Sequence, residues 1–117
     1  WVHYSGNCYL FHEIQNTWES AREYCLGLDA DLVSIPSAEE NAFVTDRISG
    51  NAWIGITDQE SEGVFTTFTD GTPVDFQNFT GTAFRRWGEA YNCAVIRLSD
   101  RQWSWKDCGS QYLAVCK

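Results

Sequence analysis

Trp53-Ile54-Gly55-Ile56, a short apolar run set between Cys25 and Cys93, marks the point where the chain passes from helical to strand-forming sequence. From this run onward the pattern is short and strand-like, with expected strands over residues 53–57, 64–68, 93–98, 103–105 and 112–116 and turns at Glu62-Gly63 and Asp70-Gly71. Before it, residues 1–14 are rich in aromatics and partly alternating around Ser5-Gly6-Asn7, which predicts a β-hairpin. A helix follows, with Asn16 as N-cap, Glu19 three residues on, an inner face of Trp18, Ala21, Cys25 and Leu28, and an end near Gly27. Ser37-Ala38-Glu39-Glu40 after Pro36 reads as a capping box for a second helix, running to about residue 48 with Ala38, Ala42 and Phe43 buried. Residues 32–35, between the helices, read as a short strand. Two helices followed by a mainly antiparallel sheet is an α+β order.

Five cysteines in 117 residues exceed what an ordinary cytosolic domain carries, and none of them forms a C-x-x-C pair of the kind found in zinc and redox sites. Disulfides in an oxidising compartment are the natural reading. His3 and His12 are the only histidines, too few for a His-rich metal site, and they read as surface or hairpin residues. The hydrophobic content of 44% suffices for the core of one domain spanning residues 1–117. No apolar run reaches the roughly 18 residues of a membrane span, and the N-terminus has no export-signal pattern. The chain is therefore expected to be the mature part of a longer exported protein, secreted or an ectodomain.

Charge is unevenly distributed. Residues 1–84 hold two basic and thirteen acidic side chains, whereas residues 85–117 hold six basic and three acidic. The acidic part argues against nonspecific nucleic-acid binding, while the basic end suits an anionic partner. Residues 72–92 fit neither periodicity, contain Gly81 and Gly88, and are rich in aromatics; a loop of that length in a compact domain is usually functional or disordered, and the aromatic content favours function.

Gly6-Asn7-Cys8-Tyr9, the helix carrying Trp18 and Cys25, the run from Ala30 to Ile35, Trp53-Ile54-Gly55-Ile56, Asp70-Gly71, Asn92-Cys93, the segment from Trp103 to Cys108 and the closing Ala114-Val115-Cys116-Lys117 together resemble a C-type lectin-like domain along the whole chain. The resemblance implies disulfides Cys25–Cys116 and Cys93–Cys108, each contributing on the order of 3 to 4.5 kcal/mol by loop closure. It leaves Cys8 to pair with an upstream cysteine absent here, or with another chain.

Family resemblance alone does not define a ligand, because sugar binding in such domains depends on a calcium ion held by six to eight oxygens. In sugar-binding relatives these come from a Glu-Pro-Asn or Gln-Pro-Asp triplet, a Glu before the third cysteine and an Asn-Asp pair in the next strand. With Phe79 aligned to the aromatic before the long loop, the triplet falls on Ala83-Phe84-Arg85, the Glu on Tyr91 and the pair on Ser104-Trp105. A rival alignment takes Trp105 as the marker tryptophan and places Lys106-Asp107 at the pair. Neither alignment restores the loop oxygens, and neither Pro36 nor Pro73 stands where relatives use a cis peptide. An accessory calcium site would draw on Asp58, Glu62 and Asn92, but Arg86 replaces its remaining carboxylate; two solvated acids near a turn is the favoured reading there. The expectation is no cofactor.

In place of the oxygens stand Phe84, Arg85, Arg86, Trp87 and Tyr91, residue types that dominate interface hot spots, with Arg97, Arg101 and Trp105 contributed by neighbouring strands. The alternative for Phe84 or Trp87 singly is a small loop core; two adjacent arginines, however, cannot both be buried without acids. The function expected from the resemblance is extracellular recognition of a protein or anionic ligand without calcium. Two alternatives remain: carbohydrate binding by aromatic stacking, with or without residual calcium, and a structural or assembly module joined through Cys8. No nucleophile elbow, H-E-x-x-H or phosphate-binding glycine loop supports an enzyme. Asn78-Phe79-Thr80 is a glycosylation sequon consistent with export.

Overall fold

A computed structural model describes residues 1–57, 67–79 and 92–117. Strands β1 (Val2–Tyr4) and β2 (Asn7–Asn16) form the expected hairpin. Its two turn residues, Ser5 and Gly6, both have positive φ, the combination that matches the twist of paired strands. Helices α1 (Trp18–Leu26) and α2 (Ala38–Thr45) follow, then β3 (Ala52–Thr57), β4 (Cys93–Ile96), β5 (Trp103–Lys106) and β6 (Tyr112–Cys116). The sheet order is β1-β2-β6-β3-β4-β5, antiparallel at every pairing except β3 with β6. The expected α+β architecture is thus observed.

The glycine of the opening run has a steric reason. Gly55 donates its N–H to the Val33 carbonyl at 2.9 Å and accepts from Thr69 N at 2.8 Å, so chain passes close on both sides of it. A methyl group there would stand 2.9 Å from the Leu32 carbonyl oxygen and 2.8 Å from Thr69 Oγ1. Residues 32–35 are buried, but they do not form the expected strand: Leu32 makes an isolated bridge to Cys116, and Val33 N bonds to the Val115 carbonyl. The segment is spread between β6 and Gly55 rather than paired along one neighbour. Around it lie Trp53, Ile54, Ile56, Trp103 and Val115, all essentially closed to water. Three buried indole N–H groups find acceptors: Trp18 at the Ile54 carbonyl, Trp53 at the Asn16 carbonyl and Trp103 at Asn41 Oδ1.

Several boundaries depart from expectation for identifiable reasons. The α1 N-cap is Thr17, whose hydroxyl accepts from Ser20 N; Asn16 is still in β2, opposite Tyr112. Trp18, Ala21 and Cys25 are buried as expected, but Leu28 lies beyond the Gly27 cap and is exposed. Helix α2 is capped by Ser37 as read and ends three residues early, at Thr45. Phe43 is buried, whereas Ala38 is exposed and Ala42 half-buried; the inner face is completed by Glu40, Asn41, Val44 and Thr45. Polar residues can turn inward there because each has a partner in the core. Strand β4 stops at Ile96, since the chain then turns through Arg97 and exposes Leu98. Of the strand expected at 64–68, only Thr67, bridged to Pro73, and buried Phe68 are among the described residues; Glu62-Gly63 lies outside them.

Glu40 is the centre of a buried polar cluster. Tyr9 Oη donates to Glu40 Oε2 at 2.6 Å, and Lys117 Nζ lies 3.1 Å from the same oxygen while also donating to the carbonyl and hydroxyl of Ser34. Burial, reinforced by the bond to Glu40, pushes the Tyr9 phenol far above its ordinary range, so it remains a donor. Asp70, in the turn before Gly71, is pulled the other way. Desolvation opposes its charge, but bonds from Ser34 and Thr72 and the charge of Lys117 prevail, and its pKa is lowered.

The disulfides implied by the resemblance, Cys25–Cys116 and Cys93–Cys108, are both formed, with sequence separations of 91 and 15. Because closure entropy grows with loop length, replacing both members of Cys25–Cys116 with alanine is expected to cost about 4 to 5 kcal/mol, against about 3 for Cys93–Cys108. Urea unfolding of the two double variants checks the order. A lowered carboxyl pKa means the folded state resists protonation, so the contribution of Asp70 is complete above the unfolded-state pKa and disappears as pH falls through the folded one. Thermal melting across the acid range is expected to show a shallower acid loss in Asp70→Asn than in the parent chain.

Candidate functional site

Residues 80–91, expected as a long loop, lie outside the described residues; of their described flanks, Phe79 is fastened to β5 and Asn92 to β3, leading into β4. Phe79 bridges Trp103 in parallel register, stacks on Trp105 with ring centroids 5.0 Å apart, and meets Trp103 edge-on at 5.3 Å. Immediately before it, the Asn78 carbonyl accepts from Trp103 N at 2.8 Å. At the returning end, the Asn92 carbonyl accepts from Thr57 Oγ1 at 2.9 Å, and Cys93 is bound to Cys108. β5 is the edge strand of the sheet, so Phe79 also covers part of an otherwise open ladder.

A second anchor lies in the β4–β5 turn. Arg101 adopts φ 62, a left-handed conformation uncommon for a side chain of this size, and its carbonyl accepts from both Asn41 Nδ2 at 3.0 Å and Asn78 Nδ2 at 2.6 Å. Asn41 simultaneously accepts from Trp103 Nε1 at 2.8 Å. One carbonyl thereby joins α2, the turn and the loop entrance. Nothing in the periodicity of α2 announced this role; a polar residue at an inward helical position was the only available signal.

Phe84, Arg85, Arg86, Trp87 and Tyr91, and the accessory acids Asp58 and Glu62, lie outside the described residues. The remaining expected contributors are placed clearly. Trp105 is only 7% exposed, and its ring stacks on Phe79. Arg97 is paired through Nε with Asp100 Oδ1 at 3.1 Å and through its terminal nitrogen with the second carboxylate oxygen. That bond from Arg97 holds the Asp100 carboxyl below its ordinary range. Arg101 pairs with Asp46 at 2.9 Å. Both arginines are thus locally balanced by acids that lie far away in sequence or within the same turn, which a count of basic residues did not reveal.

The register also bears on the two alignments. Trp103 and Trp105 alternate onto the same inner face of β5, with Trp103 fully buried opposite Ile96. Ser104 points the other way and its hydroxyl, closed off from water, has no hydrogen-bond partner among the described residues. Asp107 uses Oδ1 to accept from Gly109 N at 2.8 Å, shaping the turn that leads to β6. Asn92 is half-buried beside Cys93. Among the described residues, no group of three or more His, Cys, Asp or Glu side chains gathers in a way that could hold a metal ion.

A compact two-helix domain with a mixed sheet and two intrachain disulfides defines a C-type lectin-like fold. The family model described as Lectin C-type domain matches residues 14–117, and the chain belongs to that family. It is 37% identical over 128 residues to C-type lectin domain family 4 member F of Mus musculus, covering 100% of this chain and 22% of that protein. Among solved structures it superposes on the cow C-type carbohydrate-recognition domain of CD23 with GlcNAc2Man3 oligosaccharide, at TM-score 0.91 and 35% identity over 99% of this chain and 90% of that one. It superposes equally on a calcium-independent type II antifreeze protein, at TM-score 0.91 and 26% identity over 99% of this chain and 88% of that one. Family membership makes the chain a ligand-recognition module of the lectin type; it spans about a fifth of the mouse lectin's length. Among the described residues no helix is long and apolar enough to cross a membrane.

Asn41 satisfies one buried indole and one carbonyl at once, and leaving a buried polar group unpaired costs about 1–3 kcal/mol. Asn41→Ala is therefore expected to destabilise the domain by about 3 kcal/mol, measured by urea denaturation with the disulfides intact.

Proposed function

We propose that this chain is a noncatalytic extracellular domain, part of a longer protein, that recognises a protein or anionic glycan through residues 80–91 without calcium. The observation that carries this reading is the replacement, in that loop, of metal-binding oxygens by Phe84, Arg85, Arg86, Trp87 and Tyr91. A guanidinium engages carboxylate or sulfate through paired, charge-assisted hydrogen bonds, and large rings supply contact area at little entropic cost. Support for the loop as a binding element comes from its base: Phe79, Trp103, Trp105 and the Cys93–Cys108 bridge hold both ends on a packed strand pair. A rigid base lowers the ordering cost of binding. Arg97 and Arg101 already have acidic partners, so in this reading Arg85 and Arg86 carry most of the attraction, with Arg97 and Arg101 at the rim.

The absence of a metal requirement has a precedent in the calcium-independent antifreeze protein of the same fold. The oligosaccharide in the cow CD23 structure favours one second reading, in which the aromatic side chains stack on sugar faces, with Asp58, Glu62 and Asn92 as candidates for a residual calcium ion. Exposed Cys8, paired with an upstream cysteine or a second chain, would serve either reading.

Binding to a sulfated polysaccharide, measured by titration calorimetry, separates these readings. The expected result is affinity that persists in chelator, weakens with salt, and falls about tenfold or more in Arg85→Ala or Arg86→Ala, each substitution removing a charge-assisted bond of about 1.5–3 kcal/mol. Binding abolished by chelator, together with a rise in melting temperature on adding calcium, would replace the proposal with the calcium-dependent one.

A further inference from the structure

We propose that Asn78 is an N-glycosylation site whose modified side chain still serves as the anchor of the long-loop base. Asn78-Phe79-Thr80 supplies the acceptor amide, a residue other than proline and the hydroxyl that the modification requires, and no other position in the sequence does. A tripeptide match is weak by itself. Two independent observations strengthen it: the chain carries two disulfides, as exported proteins do, and Asn78 is half-buried outside any helix or strand, its amide bond lying in an exposed setting.

The objection is that the Asn78 amide is already in use, donating to the Arg101 carbonyl at 2.6 Å. A primary amide has two N–H bonds, however, and the carbonyl takes only one. In the transfer, Nδ2 attacks the anomeric carbon of an oligosaccharide carried on a polyprenyl diphosphate. The carbon–oxygen bond to the diphosphate breaks, the diphosphate leaves with the electron pair, and one amide proton passes to a base of the transferase. The product keeps its second N–H. That hydrogen remains to bond Arg101 once the chain folds, and the contact lies in an exposed setting. The remaining contact of this residue, its carbonyl with Trp103 N, involves the backbone and is untouched by the sugar. The inference is independent of what the loop binds.

The test is to express the chain in secretory eukaryotic cells and measure its intact mass before and after peptide N-glycosidase, which releases the glycan and converts its asparagine to aspartate. A glycan mass that is released by the enzyme, and is wholly lost in both Asn78→Gln and Thr80→Ala, is expected. The two variants also separate the dual role. Thr80→Ala lacks the glycan but keeps the amide on Arg101, whereas Asn78→Gln loses both, so Thr80→Ala is expected to melt at the higher temperature. A parent chain secreted at its bare mass, from cells that glycosylate a control sequon, would overturn the site; a glycosylated parent chain that melts no higher than Asn78→Gln would overturn the retained anchor. Should Asn78→Gln fail to accumulate, the mass readout on Thr80→Ala still decides the site.

Discussion

Strand β6, the last segment of the chain, lies in the middle of the sheet, between β2 on one side and β3 on the other. A central strand has its donors and acceptors satisfied only when both neighbours are in place, so the N-terminal hairpin and the strands that follow the helices form one cooperative unit. The covalent and ionic bonds at the end of β6 act on the same junction. Cys116 is bound to Cys25 of α1, and Lys117 reaches Glu40 of α2, while the segment from Leu32 to Ile35 is held by backbone bonds to Cys116 and Val115 on one side and Gly55 on the other. Such distant pairings carry a large closure cost before they stabilise anything, and the 91-residue separation of Cys25 and Cys116 shows how much chain must be arranged first.

The polar interior follows from this closure. Glu40, Lys117, Ser34 and Tyr9 come from four separate segments and satisfy one another in a region shut off from water. Removing one member of such a group is costly because it strands a buried charge, whereas the complete set adds geometric selectivity. Asn41 plays the corresponding part nearer the loop, joining Trp103 and the Arg101 carbonyl. These two clusters explain why α2 buries polar side chains that helical periodicity would assign to solvent. Position on a helix decides which way a side chain points; it does not decide what waits there.

The described flanks of the candidate binding region rest on the sheet edge. Phe79 lies along β5, stacked on Trp105, and the returning end at Cys93 begins β4. The residues proposed to meet a ligand thus start and finish on adjacent strands, a placement in which loop sequence can change without disturbing the core. Trp105 shows how register limits exposure: alternation along β5 places it on the same inner face as Trp103, and it is 7% exposed.

The two helices, the hairpin, most strand positions and the family were legible in the sequence, since periodicity, caps and the spacing of cysteines are local or arithmetic properties of the chain. Thr17 displaced Asn16 as a cap because β2 continued one residue further through its pairing with β6, a fact no local window contains. The sequence also shows by itself that neither Pro36 nor Pro73 belongs to a Glu-Pro-Asn or Gln-Pro-Asp triplet, for that is a matter of which side chains exist. Tertiary structure alone decided that Arg97 and Arg101 are matched by Asp100 and Asp46, that Glu40 meets Lys117, and that Asn78 and Asn41 share one carbonyl. Composition specifies the charges and donors available; only folding sets the distances, and electrostatic and hydrogen-bond energies depend on distance far more steeply than on number.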